Sequence, residues 1–237
     1  MRASYDDVAD AYGAWFADRP LLDDPVMIEL MGDVAGRRVC DLACGEGRGA
    51  RWLAAQGARV VALDVSADLL ALARRRERDE HRGIAYVRAD AQGADALAAE
   101  TFDAVMCNMA LMDVPALEPT VRGAARMLRP GGRLVLSVTH PCFKAPRAGE
   151  LVDHADGSWR RTVGGYFQEG RWERPGRDGA WLPRVAYHRT ISTYVNALAD
   201  AGLVLERLRE VPVADQSPVW REVPQVLYMR CRKPDRR

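Results

Sequence analysis

No run of apolar residues in this 237-residue chain approaches the ~20 needed to cross a bilayer. The amino-terminal stretch does not read as a secretion signal, because Arg2 is followed by Asp6, Asp7 and Asp10 rather than by an apolar segment. Charge of one sign is missing as well. The chain has 34 basic and 33 acidic residues, a formal net charge of +1. It therefore lacks the basic excess with which nucleic-acid binders neutralise phosphates, and neither nucleic acid nor a membrane is an expected partner. The densest basic run, Arg74-Arg75-Arg76, leads into Glu77, Asp79 and Glu80 and reads as the solvated end of a helix. Five cysteines (Cys40, Cys44, Cys107, Cys142 and Cys231) have no framework spacing. Their odd number points to a reducing compartment, so the cytoplasm is the expected location. No Cys/His partners stand at zinc-finger spacing, and no metal is expected. What remains is an ordinary globule, 48% hydrophobic and 28% charged. Its length suits one α/β domain carrying at most one insertion.

The most informative segment is Val39-Cys40-Asp41-Leu42-Ala43-Cys44-Gly45-Glu46-Gly47. An apolar strand ends in an acidic residue and closely spaced glycines, and a helical pattern follows from Ala50 to Gln56. Glycine lets backbone approach a ligand, and a helix N-terminus offers free N–H groups, so the unit is a nucleotide cradle. Two nucleotides compete for it. Gly45, Gly47 and Ala50 loosely satisfy the dinucleotide pattern G-x-G-x-x-G/A. Asp41, Gly45 and Gly47 satisfy Asp/Glu-x-x-x-Gly-x-Gly.

Strand and helix patterns alternate along the chain. Strands are expected at Arg37–Ala43, Arg59–Asp64, Ile84–Arg88, Ala104–Asn108 and Arg133–Val138. Helices lie between them, one capped by Ser66 and one around Val121–Leu128. Such alternation predicts a doubly wound parallel sheet. The last two strand patterns, Val204–Val211 and Val226–Cys231, are separated only by the proline-bearing stretch Pro212–Gln225. That leaves little room for a crossover helix, so these strands should pair antiparallel. Between Pro141 and Tyr187 periodicity fails. This fifth of the chain holds seven of its 17 aromatic residues, about twice its share.

Further motifs follow the glycine turn in register. Asp64 ends the second strand, 19 residues after Gly45, where a carboxylate can accept from both hydroxyls of a ribose. Asp90-Ala91 ends the third strand, Asn108-Met109 the fourth, and Leu128-Arg129-Pro130-Gly131-Gly132-Arg133-Leu134 leads into the fifth. With these motifs in order, residues 37–140 resemble the class I S-adenosylmethionine (SAM)-dependent methyltransferases. The likeness is to small-molecule enzymes of the broad Methyltransf_11/25 kind.

The resemblance implies a Rossmann-like, seven-stranded α/β sheet, mostly parallel with a C-terminal antiparallel hairpin. It also implies SAM as cofactor and S-adenosylhomocysteine (SAH) as its product. It places the cofactor among Asp41, Ala43, Gly45, Asp64, Val65, Asp90, Ala91, Asn108 and Met109. Asp90 and the Ala91 N–H would meet the adenine, and the Asn108 carbonyl the amino group of the methionine portion. Tyr12 is also assigned to the cofactor, and Arg19 to its carboxylate.

The expected organisation is one domain over 1–237. Residues 1–36 form a helical cap, 37–140 and 188–237 the SAM-binding core, and 141–187 a substrate-cap insertion between strand five and the following helix. Aromatic residues suit a substrate wall, since they give a low-entropy apolar surface and attract a sulfonium cation. Tyr5, Trp15, Phe143, Tyr166, Trp172 and Tyr187 are the candidates. If the acceptor is a hydroxyl or a protonated amine a base is required. His140, directly after strand five, is the first candidate and His188 the second. Cys107 and Cys142 bear a loose likeness to the cysteine pair of RNA cytosine-C5 methyltransferases, but the neutral charge and the lack of an RNA-binding domain argue against that reading.

The expected function is methyl transfer to an O, N or C atom of a small molecule, in specialised metabolism, by a monomer or homodimer. The alternatives are a SAM-binding protein that uses the cofactor for other chemistry or as a non-catalytic partner, and, less favoured, an NAD(P)-dependent oxidoreductase.

Overall fold

The structure is a computed structural model that describes residues 3–17, 24–149, 151–153, 159–174, 183, 185–212 and 219–236. Helices α1 (Ala9–Trp15) and α2 (Pro25–Met31) precede the first strand, β1 (Arg38–Leu42). Alternation then runs through α3 (Arg48–Ala55), β2 (Arg59–Asp64), α4 (Ala67–Asp79), β3 (Ala85–Arg88), β4 (Phe102–Asn108), α5 (Leu117–Met127) and β5 (Leu128–Thr139). Four short strands follow: β6 (Leu151–Asp153), β7 (Trp159–Arg161), β8 (Gly170–Glu173) and β9 (Val185–His188). The chain closes with α6 (Ile191–Asp200), β10 (Val204–Glu210), the single turn α7 (Val219–Glu222) and β11 (Val226–Arg232).

Seven strands make one sheet in the order β10-β11-β5-β4-β1-β2-β3. The β1–β2, β1–β4, β2–β3 and β4–β5 pairs are parallel, whereas β11 runs antiparallel to both β5 and β10. The expected doubly wound sheet and C-terminal hairpin are therefore both present. Helices cover both faces, so the central strands are buried on both sides and read as nearly continuous apolar runs. Cys40, Leu42, Val105, Cys107, Leu134 and Leu136 pack on one face with α5 and α6. Val39, Ala104, Met106 and Val135 pack on the other with α2 and α3. The two-residue period of β1 puts Asp41 on the same side as Val39, toward α3.

Two local differences from the sequence reading have simple causes. Strand β5 begins at Leu128 rather than Arg133, because Leu128 pairs with Phe102 across an irregularity that ends at the Ala104–Arg133 pair. Gly131 at φ +75° supplies the turn this requires. The 141–187 stretch is not wholly irregular either. Strands β6 and β7 pair with each other, as do β8 and β9, and neither ribbon joins the main sheet. Three- and four-residue strands are too short for a legible period, which explains why the sequence did not announce them.

Ser66 caps α4, accepting from the Leu69 N–H at 3.1 Å. The basic run on α4 is less solvated than expected. Arg76 folds back to pair with Glu46 of the glycine loop, a side chain only 1% exposed that Arg51 also approaches. Arg51 further donates to the Glu46 carbonyl at 2.8 Å. The glycine turn is thus held from below by two helices.

Candidate active site

The carboxyl ends of β1, β2 and β4 open into a cavity of about 340 Å³, the place where open α/β sheets bind ligands. Its floor is the glycine turn, with Gly45 at φ +56° and Gly47 at φ +82°. A Cβ on Gly47 would stand 2.5 Å from the Tyr86 hydroxyl, and one on Gly49 2.4 Å from Met106 Cε and 3.0 Å from Asp41 Oδ2. Side chains are excluded here because the turn packs directly onto the sheet. Ala43 (φ +58°) and Met109 (φ +52°) end β1 and β4 in the left-handed region, rare for side-chain-bearing residues. Both line the cavity. The Met109 N–H is held by the Ser137 carbonyl and hydroxyl oxygens at 3.0 and 2.9 Å, while the Ser137 hydroxyl donates to Asn108 Oδ1 at 2.6 Å. Backbone strain over-determined by hydrogen bonds is a mark of functional sites.

Asp64 ties the floor together. Its two oxygens accept from the Gly45 N–H at 2.7 Å and the Ser66 N–H at 2.8 Å. Burial raises its carboxyl above the ordinary range, and those backbone donors oppose the shift. Asp41 is 3% exposed and its Oδ2 has no hydrogen-bond partner in the structure. Burial first, then the Asp64 charge, raises its carboxyl to about 7, against the Ala50 N–H that donates to it. A buried, unpartnered carboxylate oxygen at the cavity wall is a built place for a cation. Asp24 and Asp113 add two more carboxylates to the lining, and Arg48 is its single cation among the described residues. The described residues therefore fit a ligand with a nucleoside, a positive charge and one carboxylate.

A second cavity of about 600 Å³ adjoins the first. Tyr5, Tyr12, Phe16 and Met109 line both and form the wall between them. Tyr12 and Phe16 are four apart on or just past α1, so they share a face, and their rings meet at a tilt of 53° with centres 4.8 Å apart. Tyr5 meets Tyr12 edge-on at 5.7 Å. Burial pushes the Tyr12 hydroxyl up to about 12. The rest of the second cavity comes from the end of β5, the β8–β9 ribbon, and Tyr194 of α6, with Trp172, Tyr187, His188, Lys144, Arg174 and Arg189 among its residues. Arg174 and Tyr5 both donate to Asp113, at 2.6 and 2.8 Å, joining the insertion, the amino-terminal segment and the loop after β4. Asp113, its side chain 8% exposed, is therefore the junction of all three. Arg189 donates to the carbonyls of Leu111, Val114 and Pro115. Its guanidinium lies 5.5 Å from the Tyr187 ring centre.

The residues singled out from sequence divide into two groups. Tyr5, Tyr12, Asp41, Ala43, Gly45, Asp64, Val65, Asn108 and Met109 line the first cavity, and Tyr5, Tyr12, Trp172, Tyr187 and His188 the second. The others stand elsewhere. Asp90 is exposed and its carboxylate accepts from the Gln92 backbone and side-chain amide, and neither it nor the buried Ala91 lines a cavity. Trp15 is 46% exposed, and Phe16 takes the inward place instead. Phe143 packs on the His140 ring at 4.9 Å. Tyr166 supports His188 and accepts from the Ile191 N–H through its hydroxyl at 3.0 Å. Arg19, like Trp181, lies outside the described residues. Phe16, Arg48, Asp113, Lys144, Arg174 and Arg189 were not assigned to the site. Among them only Phe16 carried a signal, as the i+4 partner of Tyr12.

The two histidines differ in the same way. His140 is 2% exposed, and both ring nitrogens are engaged: Nε2 with Glu210 at 2.6 Å, Nδ1 with the Cys142 N–H at 3.2 Å. It lines neither cavity. His188 Nε2 lies 2.8 Å from the Tyr166 carbonyl, which can only accept. Nε2 therefore carries the proton, and Nδ1 is the basic atom of a ring that lines the second cavity. The cysteine pair is inert by position: Cys107 is buried inside β4, and burial raises its thiol far above the ordinary value. Among the described residues no group of three or more His, Cys, Asp or Glu is placed to hold a metal, and no helix is long and apolar enough to cross a membrane.

A family model described as a methyltransferase domain matches residues 40–136. The chain is 36% identical over 179 residues to a ubiquinone biosynthesis O-methyltransferase from Xanthomonas oryzae pv. oryzae, covering 71% of this chain and 72% of that protein. It superposes with TM-score 0.73 on the crystal structure of an S-adenosylmethionine-dependent methyltransferase from Mesorhizobium loti, at 32% identity and over 88% and 96% of the two chains. A Listeria monocytogenes structure described in the same terms shares the fold, with TM-score 0.72 over 89% and 97% of the chains at 22% identity.

Proposed function

Because the chain belongs to the class I SAM-dependent methyltransferases, we propose that it transfers a methyl group to an oxygen of a small, aromatic-bearing acceptor, with His188 as the base. The observation that carries this reading is the pair of cavities sharing the wall Tyr5, Tyr12, Phe16 and Met109. One cavity suits the donor, and the other has the size and aromatic lining of a small-molecule site. The choice of oxygen rests on the Xanthomonas relative, an O-methyltransferase over most of its length.

SAM supplies a methyl already activated on a sulfonium. The protein's part is to hold both partners in line and keep water out. Asp64 takes the ribose hydroxyls through the acceptor capacity its backbone donors leave unused. Asp41 would face the ammonium of the methionine portion, and Arg48, which lines the same cavity, its carboxylate. The Met109 turn and the Tyr12 ring line both cavities and would flank the path of the methyl. His188 Nδ1 would take the hydroxyl proton while the O–CH3 bond forms and the S–CH3 bond breaks, with neutral SAH as the leaving group, and Nε2–H is anchored on the Tyr166 carbonyl so that the ring does not turn away. The β6–β9 ribbons act as the substrate cap, fastened by Arg174 on Asp113. A monomer or homodimer acting in specialised metabolism in the cytoplasm remains our reading of its setting.

The test is incubation of the purified protein with methyl-labelled SAM and a fractionated metabolite extract, followed by mass identification of the product. A labelled methyl ether or ester is expected, with thermal stabilisation by SAH. Absence of SAH stabilisation, or a label found only on nitrogen or carbon, defeats the proposal.

A further inference from the structure

Among the described residues the second cavity is lined by Lys144, Arg174, Arg189 and His188 and by no aspartate or glutamate. Most of these charges are already occupied. Arg174 is paired with Asp113, and Arg189 is spent on three backbone carbonyls. Lys144 is different. Its ammonium lies 4.2 Å from the centre of the Trp220 ring, which the Arg161 guanidinium also approaches, at 4.6 Å. Arg161 itself donates to the Phe143 and Gly149 carbonyls. No carboxylate or carbonyl among the described residues accepts from Lys144. A half-buried ammonium over an aromatic ring, from a residue that lines a cavity with no described acid, is a binding element with no counter-ion among the described residues.

We infer that Lys144 binds an anionic group of the acceptor, so that the substrate class is an apolar, aromatic-bearing molecule carrying a carboxylate or phosphate. This rests on the two-cavity methyltransferase reading above. Burial, and then the Arg161 charge, lower the Lys144 ammonium to about 8. An anion alongside would offset both effects. Arg161 is the charge nearest to it on the neighbouring ribbon, and Arg174, Arg189 and His188 line the same cavity.

The test is calorimetric titration of the SAH-saturated protein with matched probes: 3-hydroxy-2-naphthoate against its carboxamide, and 1-naphthyl phosphate against 1-naphthol. The anion is expected to bind about tenfold more tightly near neutral pH, the gain of one charge-assisted hydrogen bond. Lys144→Met removes that preference and Lys144→Arg keeps it. The preference also fades as pH rises through about 8. Whichever pair shows the larger gap tells carboxylate from phosphate. If neither anion binds more tightly than its neutral partner, or Lys144→Met leaves the gap unchanged while SAH still binds, the inference is overturned. Loss of SAH binding by the unmodified protein overturns instead the reading beneath it.

Discussion

The two cavities are neighbours of opposite character. Among the described residues the first is lined by Asp24, Asp41, Asp64 and Asp113 with Arg48 as its one cation, and the second by Lys144, Arg174, Arg189 and His188 with no acid. An acidic chamber with an unpartnered buried oxygen on Asp41 suits a donor carrying both a sulfonium and an ammonium. A basic, aromatic chamber suits an acceptor that gives up a proton and carries negative charge. Only four side chains lie in both walls, so the charge difference is maintained across one layer of aromatic rings and Met109. The contrast suggests that this enzyme orients its two ligands electrostatically before any chemistry, since wrong-way binding places like charges together.

The largest expected effect separates the histidines. With the acceptor found by labelling, His188→Gln should lower kcat about 100-fold while SAH affinity stays the same, as for loss of a general base. His140→Gln should leave kcat within about twofold and lower thermal stability, because it removes a buried pairing with Glu210. Equal losses of kcat in both variants would remove the distinction between the two rings.

A smaller effect sharpens the acidic side. With Asp41 near pH 7 in the free protein, about one tenth of it is ionised at pH 6, so SAH affinity should fall about tenfold between pH 8 and pH 6. Asp41→Asn should flatten that profile. The stability linkage has the opposite direction. A carboxyl whose pKa is raised by folding holds its proton longer in the folded state, so this group's contribution makes the ligand-free protein less stable as pH rises from about 4 to about 7. A pH-independent SAH affinity in the unmodified protein would show that Asp41 does not face the bound cation.

The smallest effect probes the strained turn. Ala43→Gly relieves a left-handed alanine worth about 1–2 kcal/mol, less the 0.5–1 kcal/mol or so of added freedom in the unfolded chain. A rise in Tm of roughly 1–3 °C is expected with SAH binding retained. A fall in Tm would mean that the methyl packs well enough to offset its backbone cost.

The first cavity was largely legible in the sequence because its parts are local. Asp41, Gly45, Asp64 and Asn108-Met109 each follow a strand directly, and the alternation of strands and helices brings strand ends to one edge. Asp90-Ala91 obeyed the same rule, yet the Gln92 amide claims the Asp90 carboxylate outside either cavity. The second cavity was legible only as an excess of aromatics. Of six aromatic candidates Tyr5, Trp172 and Tyr187 line it, while Trp15, Phe143 and Tyr166 do not. His140 held the better sequence position and His188 the better place.

Composition, periodicity and motif spacing by themselves determined the doubly wound sheet, its antiparallel end and the nucleotide cradle, because each depends on residues close in the chain. That His188 lines a cavity and His140 does not, that Asp113 joins Tyr5 to Arg174, and that Lys144 stands over Trp220 were decided only by tertiary structure. Those contacts join residues up to 108 positions apart. No local preference encodes such pairings. They arise when short ribbons, too small to hold themselves together, find their partners on the finished core.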